Sequence, residues 1–468
     1  MFLGRRPWET FTRRAAEAGR RSLPATQLFL FSFAGLILVG TLGLLVLPGL
    51  YTGPRLGVVD ALFTSTSAVC VTGLIVVDTA TYFTPLGQAW IALLIEAGGL
   101  GILTFTTLVI SLLGRRASLR AEEAAGGHAS AFRHLDPRTL VKAVVASTVI
   151  LEAIGAAILW ADWSGRMGAA HALWPAVFHA ISAFCNAGFS VFSDSLVGLR
   201  TSPVTLLTVS GLIILGGIGF LVMADCRARY RLGETDRLTT HTRLAVLTTA
   251  VLLVGSTALF LVFEGSNELR GLGWTDKLTN AWFMAVTPRT AGFNTVSYDA
   301  VSNPSLFLTI VLMIIGGSPG STAGGLKTTT VALLVLVLWS RLRGREHVSF
   351  MGRTIPDETL QRATGLTIGG LAILAGAVFL LSMTELPIQG LTHRPGFLRL
   401  IFEAHSAFGT VGLSMGVTSN LSDMGRLIIV ALMYMGRVGP LAVASAMATA
   451  GGHRRARYRY AREDVVIG

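Results

Sequence analysis

Apolar residues in this chain fall into long blocks, not into alternating or striped patterns. Eight blocks reach the roughly 20 residues that a helix needs to cross a bilayer: 26–47, 88–113, 139–160, 203–224, 244–263, 305–338, 364–384 and 425–450. A glycine-rich stretch interrupts the sixth. Four shorter runs lie at 58–70, 173–186, 277–288 and 397–409. They are too short to span, so they are expected to be re-entrant or interfacial. The order long, short, long recurs four times. The pattern predicts an all-α polytopic membrane protein with eight spans and four re-entrant helices.

The short runs are related in sequence as well as in length. Each ends in a turn of the form x-x-Gly-[Leu/Phe]: Cys70-Val71-Thr72-Gly73-Leu74, Cys185-Asn186-Ala187-Gly188-Phe189, Arg289-Thr290-Ala291-Gly292-Phe293 and Gly409-Thr410-Val411-Gly412-Leu413. Ser-Ala-[Val/Phe] precedes three of them, at Ser67, Ser182 and Ser406. An aromatic stands ten residues before each glycine (Phe63, Phe178, Trp282, Phe402), and an Asp follows each turn at 78, 194, 299 and 423. The later spans repeat too, with midpoints Gly98-Gly99-Leu100-Gly101, Gly216-Gly217-Ile218-Gly219, Gly316-Gly317-Ser318-Pro319-Gly320 and Gly436-Arg437-Val438-Gly439. Four units follow: repeat 1 over 26–113, repeat 2 over 139–224, repeat 3 over 244–338 and repeat 4 over 364–450. All run in the same orientation, which predicts four parallel helix–pore helix–helix repeats around a central pore.

Composition agrees. Of 468 residues, 52% are hydrophobic and only 14% charged, with a mean hydropathy of +0.63. A soluble protein carries about 25% charged residues, so a set of water-facing domains is excluded. The net charge of +12 would suggest nucleic acid on a soluble chain. Its distribution points elsewhere. The N-terminal segment 1–25, the loops 114–142, 225–243 and 339–362, and the tail 451–468 hold 27 of the 38 Lys and Arg against 13 of the 26 acids. The segments with the short runs are slightly acidic. By the positive-inside rule both termini are cytoplasmic and the short runs enter from outside. The charge then needs no nucleic acid, and no cleaved signal peptide is read. Cys70, Cys185 and Cys226 have no metal spacing.

A short helix that enters from outside and stops at mid-membrane points its negative end inward. Four such ends around one axis favour a cation. The chain beyond must be irregular, and irregular backbone survives at that depth when it lines an aqueous path. Rings of carbonyls there can replace an ion's hydration shell. The candidate ion-binding residues are Val71, Thr72 and Gly73; Asn186, Ala187 and Gly188; Thr290, Ala291 and Gly292; and Thr410, Val411 and Gly412. The turns carry no acidic ring, so a dehydrated alkali ion suits them better than a divalent one.

The sixth span is the exception among its relatives. Gly316, Gly317, Ser318, Pro319, Gly320, Gly324 and Gly325 cannot continue a stable helix. An unwound segment 316–326 beneath the turns would lie in the conduction path as a gate. Gly320 to Gly325 has the spacing of a phosphate-binding loop, but Leu326 separates the glycine from Lys327 and no strand precedes it, which argues against nucleotide binding. Arg437 replaces a midpoint glycine, and a mid-membrane arginine should face a cavity or a partner. It could reach the loose carbonyls of 316–326. Lys327 either shares that role or snorkels to the cytoplasmic side. Glu96 and Glu152 are expected to pair structurally, and His179 and His405 to satisfy local hydrogen bonds. No carboxylate pair, Ser/His pair or metal cluster suggests an enzyme.

With these motifs in hand, the chain resembles the Trk/Ktr/HKT superfamily of cation transporters. Arg289–Phe293, Gly316–Gly325 and Tyr434-Met-Gly-Arg-Val-Gly-Pro440 are similar to that family's motifs, and the likeness runs from about residue 26 to the end. Trk-type subunits carry two further spans before the first unit, for which residues 1–25 leave no room, so the chain is more similar to the KtrB branch. The resemblance implies potassium uptake, often sodium-dependent, with no covalent cofactor. It implies a homodimer with one pore per subunit, in the plasma membrane, on a cytoplasmic ring of KtrA-type nucleotide-binding subunits. It also implies that 316–326 gates the pore beside Arg437. In the family a Ser in the first turn goes with sodium permeability, so the glycine at Gly73 implies potassium selectivity. The last residues, to Gly468, resemble a tail that packs in the dimer. A stand-alone Trk-like transporter, or a secondary transporter coupling sodium to potassium, is the alternative.

Overall fold

A computed structural model describes residues 25–116, 137–232, 238–385 and 396–439. The N-terminal segment, most of the loop 114–142, residues 440–450 of the last predicted span and the tail 451–468 lie outside the described residues. Unit 1 contains α1 (Ala25–Val46), α2 (Val58–Val69) and α3 (Pro85–Arg116). Unit 2 contains α4 (Pro137–Met167), α5 (Ala169–Phe184), α6 (Pro203–Ile218) and α7 (Phe220–Arg227). Unit 3 contains α8 (Thr240–Glu264), α9 (Trp274–Val286), α10 (Asn303–Ile314) and α11 (Thr328–Leu342). Unit 4 contains α12 (Asp357–Thr384), α13 (Gly396–Gly409) and α14 (Asp423–Val438). A two-residue hairpin, β1 (Ser349–Phe350) with β2 (Arg353–Thr354), sits between α11 and α12.

Among the described residues four helices are long and apolar enough to cross a membrane alone: α1, α4, α8 and α12. Each opens its unit. Their outward faces carry exposed large apolar side chains, such as Phe31, Leu38 and Leu42 on α1, Ile150 and Ile154 on α4, Val251 and Val262 on α8, and Phe379 and Met383 on α12. Exposing one such side chain to water costs about 1.5–3 kcal/mol. A hydrocarbon solvent removes that cost, which marks the molecule as a membrane protein.

The buried core is not one mass but a ring of seams. One apolar cluster joins Phe63 and Ile95 of unit 1 to Phe408 and Ile429 of unit 4, and reaches Phe178 and Phe189 of unit 2. A second joins Phe184 of unit 2 to Phe283 and Phe293 of unit 3. A third joins Phe260 and Met313 of unit 3 to Phe402 and Val411 of unit 4. The units therefore meet in the order 1-2-3-4-1.

Within each unit a hydroxyl clamps the third helix to the first. Thr84, Ser202, Ser302 and Ser422 each precede the third helix of their unit. Their hydroxyls donate to the Gly49 carbonyl at 2.6 Å, Asp162 at 2.7 Å, Glu264 at 2.6 Å and Glu385 at 2.5 Å. In units 2 to 4 the acceptor is a carboxylate, whose charge favours the positive end of the helix it faces. The sequence signal is Thr-Pro, Ser-Pro, Ser-Asn-Pro and Ser-Asp, one per unit.

Two of the later helices end at a midpoint glycine. The predicted span 203–224 is bent by 92° at Gly219. Within the predicted span 425–450 the described helix ends at Val438, and the backbone angles of Gly439 (φ 91, ψ 139) nearly equal those of Gly219 (φ 92, ψ 141). Both glycines occupy the fourth place of the midpoint motif. Gly101, in the same place in unit 1, stays helical within α3.

Candidate functional site

The four short helices end where the four turns begin. In each turn the residue two before the glycine and the glycine itself have positive φ: Val71 (56) with Gly73 (89), Asn186 (62) with Gly188 (69), Thr290 (77) with Gly292 (79), and Thr410 (50) with Gly412 (94). The residue between them does not. Such alternation turns successive carbonyls to one side. Left-handed valine and threonine are costly, so the surroundings must impose them.

Those surroundings are local. Thr72, Ala187 and Val411 donate their N–H to the carbonyls of Ser67, Ser182 and Ser406 at 2.7–2.8 Å, and Ala291 donates to Thr287 at 2.9 Å. The same side chains brace the turn. Ser67 and Ser406 accept from the N–H of Gly73 and Gly412 at 3.1 and 3.0 Å. Ser182 and Thr287 donate to the carbonyls of Phe189 and Phe293 at 2.7 and 2.5 Å. Thr287 thus serves unit 3 from one residue nearer the glycine. A search for Ser-Ala misses it; a hydroxyl five or six residues before the glycine would have found all four.

The turns close into a ring. A Cβ on Gly73 would meet the carbonyl oxygen of Ala187, one on Gly188 that of Ala291, one on Gly292 that of Val411, and one on Gly412 that of Thr72. Each would also come within 2.9–3.2 Å of the next glycine's Cα. Both the angle and the space therefore require glycine. The ring brings together all twelve residues that the sequence proposes as ion-binding. The Asn186 and Thr290 side chains join turns 2 and 3 at 3.1 Å. On one side the ring opens into a cavity of about 750 Å³, lined by the four glycines and the chain that follows each. Asp78, Asp194, Glu268 and Asp299 reach it, with Arg200. Asp423 does not; it faces Arg426 at 3.7 Å.

The glycine-rich segment lies on the other side, against the helix ends. It leaves α10 and re-enters α11 through a short parallel bridge between Ile315 and Leu326. Ser318 and Thr322 donate their N–H to the carbonyls of Gly217 and Gly216 at 2.9 and 3.2 Å, and Phe220 donates to Gly320 at 3.0 Å. The Thr322 hydroxyl donates to the Phe184 carbonyl at 3.3 Å. Gly324 has no side chain where Thr410 of the ring stands. Arg437, buried, donates to the Thr322 carbonyl and, at 3.1 Å, to that of Gly98. Lys327 donates to Ala323 at 2.6 Å. The break at Gly219 belongs to this arrangement: the midpoint glycines of unit 2 bond the segment, and Pro319 packs on Gly219.

The midpoint glycines elsewhere seat the short helices. A Cβ on Gly98, Gly216 or Gly436 would strike the carbonyl of Val69, Phe184 or Phe408. Glu96 and Glu152 do cluster, with Cys185 donating to Glu96 at 3.3 Å. The short helices aim the negative ends of their dipoles at the ring. A ring of carbonyls without carboxylates, reached through an acidic cavity, can bind a partly dehydrated monovalent cation.

Comparison with known proteins agrees with this chemistry. The family model described as TrkH, cation transport protein, matches residues 33–450. The potassium/sodium uptake protein NtpJ of Enterococcus hirae is 38% identical over 96% of this chain and 98% of its own. The Ktr system potassium uptake protein B of Vibrio alginolyticus is 38% identical over 90% of this chain and 91% of its own. The solved structure of the potassium transporter TrkH from Vibrio parahaemolyticus shares the fold, with a TM-score of 0.72 at 19% identity over 91% of this chain and 86% of that one. Taken with the ring of glycine turns, these likenesses establish that the chain belongs to the TrkH family of cation transport proteins.

Proposed function

We propose that the protein takes up potassium through a pore whose selectivity filter is the ring of four glycine turns. The observation that carries this reading is the closure of that ring, each glycine against the next turn's carbonyl. In this reading α2, α5, α9 and α13 are re-entrant pore helices, entered from the outer face, and eight spans surround them with both termini cytoplasmic. The relatives named for potassium uptake support potassium as the ion, and NtpJ, named for both cations, supports sodium as a second. Glycine in all four turns favours potassium over sodium. Expression in a bacterium that lacks potassium uptake should restore growth at low potassium; no growth, with or without a KtrA-type partner, would overturn the reading.

The segment 316–326 is the gate of this pore, held by Arg437 and Lys327. Its bonds to units 2 and 4 support this, since they let a movement of the surrounding helices release it. The pore works as a homodimer on a cytoplasmic nucleotide-binding ring of the KtrA kind. Co-purification with such a ring, released or altered by nucleotide, tests that assembly.

A further inference from the structure

Nine residues before each turn glycine stands a buried side chain: Thr64, His179, Phe283 and Glu403. Two of these are titratable, and both reach the same place. His179 Nε2 lies 2.9 Å from the Ser190 hydroxyl, two residues beyond Gly188. Glu403 accepts from the Ser414 hydroxyl at 2.9 Å, two residues beyond Gly412, and from Thr418. Each serine in turn accepts a backbone N–H two residues on, from Phe192 at 2.9 Å and Gly416 at 3.0 Å. Ser190 and Ser414 both line the cavity. Units 1 and 3 have no such brace: Thr64 has no partner for its hydroxyl among the described residues, and Phe283 offers none. Since the units meet in the order 1-2-3-4, the two braces face each other across the ring.

We propose that His179 and Glu403 are positioning residues that fix the outer lip of the filter in units 2 and 4, giving its cavity-side ion site a twofold, not fourfold, shape. Each supplies an acceptor that holds a serine, and the serine holds the chain that climbs from the turn. His179 is set for this: Nδ1 faces the Pro175 carbonyl at 2.8 Å, so it carries the proton and leaves Nε2 to accept. Glu403 accepts two hydroxyls, a geometry that an amide keeps on its oxygen side only. A buried histidine in unit 2 and a buried carboxylate in unit 4 are more than packing needs, because Phe283 fills the same place in unit 3 without either.

The effect on selectivity rests on the transport reading; the positioning itself does not. Two measurements separate them. Hydrogen exchange on the purified protein should rise about tenfold at 412–418 in Glu403→Ala and Ser414→Ala, about as much at 188–194 in Ser190→Ala, and stay unchanged in Thr64→Ala. Exchange that is unchanged in all three brace variants overturns the proposal. Potassium-to-sodium discrimination should fall about tenfold in Ser414→Ala and recover most of its value in Glu403→Gln relative to Glu403→Ala. Faster exchange with unaltered discrimination in a conducting protein overturns the twofold ion site. Faster exchange in a protein that conducts nothing supports the brace and sinks the transport reading instead.

Discussion

The ring of turns and the segment 315–327 are both glycine-rich irregular backbone, yet they are held in opposite ways. Each turn is tied to the helix that feeds it, through Ser67, Ser182, Thr287 and Ser406. The segment takes its outside partners from two other units, Phe184, Gly216, Gly217 and Phe220 of unit 2 and Arg437 of unit 4, and Arg437 in turn reaches the Gly98 carbonyl of unit 1. Locally held backbone keeps its shape when neighbours move. Backbone held by others changes when they do. The difference suits a fixed ring and a movable barrier.

The largest effect is expected from a substitution in the ring. Gly292→Ala should abolish potassium uptake, a loss of at least about 100-fold, because its methyl meets the Val411 carbonyl at a positive φ. Uptake near wild type would show that the ring is not the path. The segment should answer in the other direction. Arg437→Ala, or deletion of 317–325, should raise flux several-fold if the segment is a barrier; reduced flux in a folded protein would make it structural. Gly219→Ala lies between the two, since it attacks the segment through a neighbour. Its Cβ would meet the Pro319 carbonyl in a positive-φ conformation that side chains rarely adopt, at a cost of about 1–3 kcal/mol, so flux should change in the same sense as in Arg437→Ala, by less. The smallest effect is expected at the clamps. Ser422→Ala should cost about 1 kcal/mol in thermal stability and leave uptake per folded molecule unchanged.

The same contrast explains what could be read from the chain alone. Short-range features were legible. The predicted run 58–70 is the helix Val58–Val69, and 277–288 is Trp274–Val286 within three residues. The turn glycines stand out because angle and space both demand them. Features held by distant partners were not legible. Gly98–Gly101 and Gly216–Gly219 look alike in sequence, yet α3 runs through the first and the helix breaks at the second. What differs is Pro319 and its neighbours, a hundred residues away. Thr287 was missed for a smaller reason, a shift of one position in an otherwise repeated pattern.

The serine and threonine clamps bear on how such a molecule can be made. Each joins residues of one unit only: Gly49 with Thr84, Asp162 with Ser202, Glu264 with Ser302, Glu385 with Ser422. A chain synthesised from its N-terminus can fasten each hairpin of helices before the next leaves the ribosome. The ring cannot close so early, because Gly412 must arrive to meet Thr72. Assembly by separate, self-fastening quarters therefore postpones closure of the ring until the fourth unit arrives, so a half-made chain holds open turns and no finished ring.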